Sequence, residues 1–155
     1  MEVDPTMWDS EVWITGGIIF ALLFLSGLFS GSETALTAVS EARLHHMAKE
    51  GNRRAKVALK LIQNKERLIG AILLGNNLVN ILASALATSL FLSLVGEAGV
   101  FYATIIMTAL VLVFAEVLPK TYAISNPERA ALRISAIMRI VVAVFAPIVG
   151  VVGAV

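Results

Sequence analysis

Long apolar runs alternate with short charged ones along the whole chain. From Val12 to Ser32, from Leu68 to Val95 and from Val100 to Leu118 the residues are apolar almost throughout. A helix needs about 20 residues to cross roughly 30 Å of hydrocarbon. The pattern therefore predicts an all-α membrane protein with spans at residues 12–32, 68–95 and 100–118, in one domain covering residues 1–155. A fourth run, Ile134–Val155, is apolar but carries Arg139, Pro147 and Gly150. Whether it enters the membrane stays open at this stage.

Charge sets the orientation. Arg43, Lys49, Arg53, Arg54, Lys56, Lys60, Lys65 and Arg67 lie between the first and second spans, whereas the N-terminal tail and the Gly96–Gly99 turn have no Lys or Arg. Basic residues stay on the cytoplasmic side, so the N-terminus is expected outside and the C-terminus inside. In residues 41–66, apolar positions such as Leu44, Met47, Val57 and Leu61 recur among charges, with a break at Gly51-Asn52. Two short basic amphipathic helices are predicted there. They can lie on an anionic leaflet or pack against other cytoplasmic parts. His45 and His46 point about 100° apart on a helix, which does not make a chelating pair. After the third span, Ser125 or Asn126 can cap a helix that Pro127 and Glu128 suit at its first turn. Arg129, Arg133 and Arg139 share one arc of it, so a juxtamembrane belt helix is expected over residues 127–146.

Composition agrees with the pattern. Of 155 residues, 58% are hydrophobic and 15% charged, against about 45–50% and 25% in soluble domains. No basic cluster with interleaved aromatics suggests nucleic acid. Cysteine is absent, which removes disulfides and thiolate chemistry. The start, with Glu2, Asp4, Asp9 and Glu11, lacks the basic region of a signal peptide. The chain ends at "VGVVGAV" with no polar tail, and the expectation is that it is part of a longer protein.

Against this apolar background the polar positions need a reason. Ser26 and Ser30 stand at i, i+4, with Glu33 on the same stripe one turn on; Asn76 and Asn80 repeat the spacing, and Glu116 precedes Pro119 by three residues. At 1.5 Å per residue all three groups fall in the cytoplasmic half, within about 18 Å of the inner ends of their spans. A carboxylate at that depth normally faces a partner or an aqueous path. One reading is structural: a Glu116–Lys120 pair, with serines and asparagines as helix glue and Gly27 and Gly31 serving close packing. The other is functional. Hydroxyls, amide carbonyls and one carboxylate are hard oxygen donors suited to Mg²⁺, Ca²⁺ or Na⁺, and glycines with Pro119 can loosen helices so that backbone carbonyls join them.

At these residues the chain resembles the CorC/cyclin-M family of magnesium transporters. "SGLFSGSETAL" (Ser26–Leu36), "LLGNNLVN" (Leu73–Asn80) and "AEVLPKTYA" (Ala115–Ala123) match its membrane-domain motifs in order. The resemblance implies a homodimer in the inner (plasma) membrane, each protomer having three spans and a helical belt. It implies Mg²⁺ export, coupled to Na⁺ entry. By motif position it places metal ligands at Ser26, Ser30, Asn80 and Glu116, with Asn76 beside them and Glu33 outside the set. Family members continue into cytoplasmic cystathionine-β-synthase-type domains that bind ATP; these are absent from the sequence.

The function expected is therefore secondary transport of Mg²⁺, the alternative being a Mg²⁺-sensing membrane anchor that moves nothing. No enzymatic function is expected, since no second carboxylate, usable histidine or nucleophile–base pair stands near Glu116 at its depth. The orientation can be checked with single cysteines at Glu2 and Lys56 and an impermeant thiol reagent on intact cells. Glu2→Cys should label from outside and Lys56→Cys should not; external labelling at Lys56 overturns the assignment.

Overall fold

The computed structural model describes the backbone of residues 5–153 and the side chains of residues 9–152. Glu2, Asp4 and Val155, which figure in the expectations above, lie outside the described residues. The described chain is helical almost throughout. Helix α1 spans Pro5–Ala38, α2 Glu41–Lys49, α3 Arg53–Gln63 and α4 Lys65–Val95. A short 3₁₀ turn, Gly96–Ala98, leads into α5, Gly99–Leu110; a π-helical turn, Val111–Val117, joins it to α6, Leu118–Ser125; α7 spans Pro127–Gly153.

The helix boundaries have local causes. Ser40 Oγ accepts from the Arg43 amide at 3.4 Å, Asn52 Oδ1 from Ala55 at 3.1 Å and Asn64 Oδ1 from Arg67 at 3.4 Å. Each side chain satisfies one of the free N–H groups that open a helix. The two sharp reversals need positive φ, and glycine supplies it: Gly51 at 94° and Gly96 at 74°. At the second, the α5 backbone closes on α4 so tightly that a Cβ on Gly99 would stand 2.4 Å from the Phe91 carbonyl carbon. Ser125, one of two expected caps of α7, donates instead to the Thr121 carbonyl at 2.9 Å.

Three helical runs are long and apolar enough to cross a membrane: Asp9–Ala38, Lys65–Ser125 and Pro127–Val152. The second folds at Gly96 into two legs, which carry the expected spans at 68–95 and 100–118. The helices overrun the expected bounds, the first reaching Ala38 and the last continuing through Pro147 to Gly153 instead of stopping at 146. Large apolar side chains remain exposed along the long helices, among them Phe20 at 71% and Ile140 at 63%. Water does not tolerate so continuous an apolar surface, and a bilayer requires one.

Packing places α1 at the centre of the bundle. The Phe29 ring fills the space left by Gly75, where a Cβ would lie 2.8 Å from the ring. The hydrogen bonds of Ser26 lie on the same contact, so α4 runs antiparallel to α1. On another side, the Phe114 carbonyl faces Gly27 and Pro119 faces both Gly27 and Gly31, so the π turn and α6 run beside α1 in its own direction. Helix α7 crosses this end of the bundle. Its Ala130 and Ile134 share a cleft with Gly31, while Val149 sits against Gly70 of α4. Ala130 and Val149 are separated by about 28 Å of helix, yet both touch the end where α1 finishes and α4 starts. The exposed Arg43–Glu128 ion pair, at 2.9 Å, links α2 to the first turn of α7.

Gly27 tests this arrangement. A Cβ there would stand 3.1 Å from Pro119 Cγ and 3.3 Å from the Phe114 carbonyl oxygen, whereas Gly16 has nothing within 4 Å. Gly27→Leu should destabilise the bundle by about 1–3 kcal/mol through overpacking, and Gly16→Leu should not. Thermal unfolding in mild detergent reads both; equal melting temperatures would rule out the close approach.

Candidate functional site

The site begins with which faces α1 turns to its neighbours. Ser26 and Ser30 lie one turn apart, as do Gly27 and Gly31, each pair about 100° round from the other. The glycine face accepts Pro119; the serines are buried, Ser26 fully and Ser30 at 2% exposure. Ser26 meets α4, where Asn76 and Asn80 stand half-buried one turn apart and Asn77 points outward. Ser26 Oγ is 2.7 Å from Asn76 Oδ1 and 2.7 Å from Asn80 Oδ1, and Asn80 Nδ2 is 3.4 Å from Asn76 Oδ1.

A hydroxyl has one proton, so Ser26 can donate to only one of those carbonyl oxygens at a time. Two conditions relieve the remaining oxygen–oxygen contact. The Asn80 amide can rotate and donate its N–H to the hydroxyl, or a cation can be shared by the oxygens. Ser30, 2% exposed and one turn from Ser26, forms no side-chain hydrogen bond among the described residues.

Glu116 reaches the same region from the π turn. It is half-buried, and with Asn80 it lines a groove of about 460 Å³ between α4 and α5. Farther along that groove stand Ser84, Thr88, Thr104 and Thr108. Thr88, Thr104 and Thr108 donate to the carbonyls one turn back, at 2.8, 2.7 and 2.6 Å. With their protons committed, these hydroxyls offer only lone pairs to the groove. Among the described residues Glu116 makes no ion pair, and Lys120 is exposed. The Glu116–Lys120 pairing considered from sequence is therefore not formed.

The structure thus joins Ser26, Asn76 and Asn80 directly, brings Glu116 to the groove that Asn80 also lines, and buries Ser30 beside Ser26. Glu33 is half-buried and does not line the groove. No group of three or more His, Cys, Asp or Glu gathers among the described residues. The donor set is neutral oxygen with one carboxylate, which favours hard cations over soft ones. His46, meanwhile, pairs with Glu50 at 3.1 Å on the surface of α2.

The π turn is the element that sequence reasoning missed. Helix loosening near Pro119 was expected to free backbone carbonyls through a discontinuity; the helix instead stays continuous and widens over Val111–Val117. Pro119 is the available signal. It cannot donate to the Ala115 carbonyl and its ring crowds that carbonyl, so a wider turn upstream relieves the conflict. Such turns also re-aim side chains, and they concentrate at functional sites.

These features define a polytopic helical membrane domain with a cluster of polar oxygens between its long apolar helices. The chain belongs to the family described as Cyclin M transmembrane N-terminal domain, which matches residues 17–155. It is 56% identical over 107 residues to the UPF0053 inner membrane protein YfjD of Escherichia coli (strain K12), covering 69% of this chain and 25% of that protein. It is 42% identical over 132 residues to a UPF0053 protein of Haemophilus influenzae, covering 85% and 31%. A protein of the same organism named polyamine export protein is 29% identical over 152 residues, covering 90% and 35%. The chain therefore spans about a quarter to a third of the length of these relatives.

Ser26→Ala isolates the polar cluster. It removes the one hydroxyl proton that, among the described residues, reaches the two asparagines and leaves their amides poorly partnered, at a cost of about 1–3 kcal/mol. The melting temperature in detergent without divalent cations should fall; an unchanged value would show that the cluster does not hold α1 to α4.

Proposed function

We propose that this domain transports Mg²⁺ across the membrane, exporting it from the cytoplasm in exchange for Na⁺. The observation that carries the reading is the crowding of Asn76 and Asn80 carbonyl oxygens onto one Ser26 hydroxyl, beside a groove into which Glu116 opens. Without an ion the Asn80 amide turns and closes a hydrogen-bond chain. With an ion, Ser26, Ser30, Asn80 and Glu116 present oxygen, and Asn76 supports Asn80 and completes the cluster. One carboxylate against a divalent charge leaves the site about +1, which suits an ion that must leave again.

The direction follows from the basic connection between α1 and α4, which puts the N-terminus outside and the site nearer the cytoplasm. Helix α7 then serves as a belt at the cytoplasmic face, and the domain works as a homodimer. Export, Na⁺ coupling and dimerisation rest on the resemblance to magnesium transporters. In the whole protein, cytoplasmic regulatory domains would act on this membrane part.

A second substrate class has its own support. Two relatives carry the name polyamine export protein, and the hydroxyl-lined groove beyond Asn80 offers acceptors in a row to a linear polycation. Mg²⁺ is favoured because Ser26, Asn76 and Asn80 gather their oxygens at one point and a single carboxylate, Glu116, opens into the groove that Asn80 lines, whereas an extended amine would want carboxylates spaced along its length.

Calorimetric titration and liposome flux decide between these readings. Glu116→Gln keeps the shape and removes the charge, so Mg²⁺ affinity should fall by tenfold or more in a low-dielectric site. Ser30→Ala and Asn80→Ala should weaken it less, and Lys120→Ala should leave it unchanged. Wild-type affinity in Glu116→Gln would sink the ion site. Binding without flux would favour the sensing anchor, and flux of spermidine but not of Mg²⁺ would favour polyamine export.

A further inference from the structure

A second cleft, of about 500 Å³, opens between α1, α6 and α7 and takes no part in the ion site. Its volume falls within the roughly 300–1,000 Å³ of pockets that hold small ligands. The walls are apolar, with Phe24 and Leu28 from α1, Phe114 from the π turn and Ile137 from α7. Phe24 is 71% exposed and Phe114 57%, so these rings leave most of their surface to an occupant from outside the chain.

The opposite end of the cleft is cationic. Arg133 Nη1 donates to the Tyr122 hydroxyl oxygen at 3.3 Å, a neutral partner that positions the guanidinium without cancelling its charge. No carboxylate pairs with Arg133 among the described residues, and Glu128 is taken by Arg43 at 2.9 Å. Arg129 is exposed one turn earlier on α7. Because α6 runs along α1 in the same direction, Tyr122 and Arg133 lie toward the C-terminal, basic end of α1. Phe24 and Phe114 lie deeper in the bundle.

We propose that this cleft binds an anionic phospholipid of the leaflet on the basic side. One acyl chain lies between Phe24, Phe114 and Ile137, and the phosphate sits on Arg133. The polarity of the cleft matches such a molecule end for end: apolar at depth, cationic where headgroups lie. A soluble anion would leave the aromatic wall uncovered, and a second copy of the chain would bury Arg133 against an apolar surface. A zwitterionic lipid would bring a second positive charge to the arginines. The inference needs only that the domain lives in a bilayer and is independent of which ion it carries. An occupant would touch Phe114, two residues from Glu116 in the same π turn.

The full chain, purified in mild neutral detergent, can be titrated with phosphatidylglycerol or phosphatidylcholine. Retained lipid is counted by native mass spectrometry, and melting temperature is followed in parallel. Phosphatidylglycerol should be retained and should stabilise; phosphatidylcholine and inorganic phosphate should do neither to the same extent. Arg133→Gln should weaken phosphatidylglycerol retention by about tenfold through loss of a charge-assisted contact, and Arg133→Lys should restore much of it. Ile137→Trp should displace the lipid by filling the cleft. A phosphatidylglycerol with a photoreactive acyl chain gives a readout on unmutated protein and should label Phe114 or Ile137. Equal retention of the two lipids, stabilisation by phosphate alone, unchanged retention in Arg133→Gln, or labelling elsewhere would each overturn the proposal. So would an Ile137→Trp protein that keeps its lipid and changes only its oligomeric state.

Discussion

Helix α1 is held on two faces by residues adjacent in sequence. Ser26 Oγ lies 2.7 Å from both asparagine carbonyl oxygens of α4 and donates its proton to one of them at a time, and Gly27 removes its own side chain so that Pro119 can approach to van der Waals distance. Neither contact tolerates a shift of α1 by one residue: one direction turns Ser26 toward the proline and Leu25 toward the amides, and the other turns Gly27 toward the amides and Leu28 toward the proline. The separation of α4 from the π turn is therefore fixed by the thickness of α1 at this level. The groove that Asn80 and Glu116 share exists because these two elements are kept apart there.

The same constraint governs the chemistry. In a bilayer a carboxylate and two amides are costly unless each has a partner or access to water. The asparagines are partnered through Ser26, but with one proton among too many acceptors. That imbalance costs little in an amide that can turn, and it leaves the oxygens able to respond to a cation. Glu116 is kept from the exposed Lys120 and turned to the groove. A structural ion pair would have ended that availability, and its absence is what makes the proposed ion site chemically reasonable.

Much of this was legible in the sequence. The i, i+4 spacing of Ser26 with Ser30 and of Asn76 with Asn80 put each pair on one face, and depth counting put both pairs near the same end. The reversal at Gly51 was readable because glycine beside asparagine between two amphipathic patterns has few other uses. Other features were not legible. Pro119 can break, kink or widen a helix, and which occurs depends on what packs against it. Here Gly27 and Gly31 hold the proline close, so widening replaces breakage. The length of α7 was also hidden. The belt helix was expected to stop at 146, before Pro147, but Pro147 lies within a helix whose far part is supported by Val149 packing into the space at Gly70. Tertiary contact, not local propensity, carries the helix past the proline.

The bonds of Ser26 also bear on how the domain is made. They connect positions 50 and 54 residues apart, so α1 must enter the bilayer before its partners exist. Alone it can do so, because a serine in a helix can donate to its own backbone one turn back, as Ser32 does to Leu28. Helix α4 is in a different position. The longer amides of Asn76 and Asn80 find no such full satisfaction within their own helix, and lipid offers them nothing. Its stable residence in the membrane therefore depends on docking to an α1 already there, and the contact that shapes the site also acts as a checkpoint on assembly. A chain unable to form it would leave α4 stranded between translocation machinery and lipid, where quality control can find it.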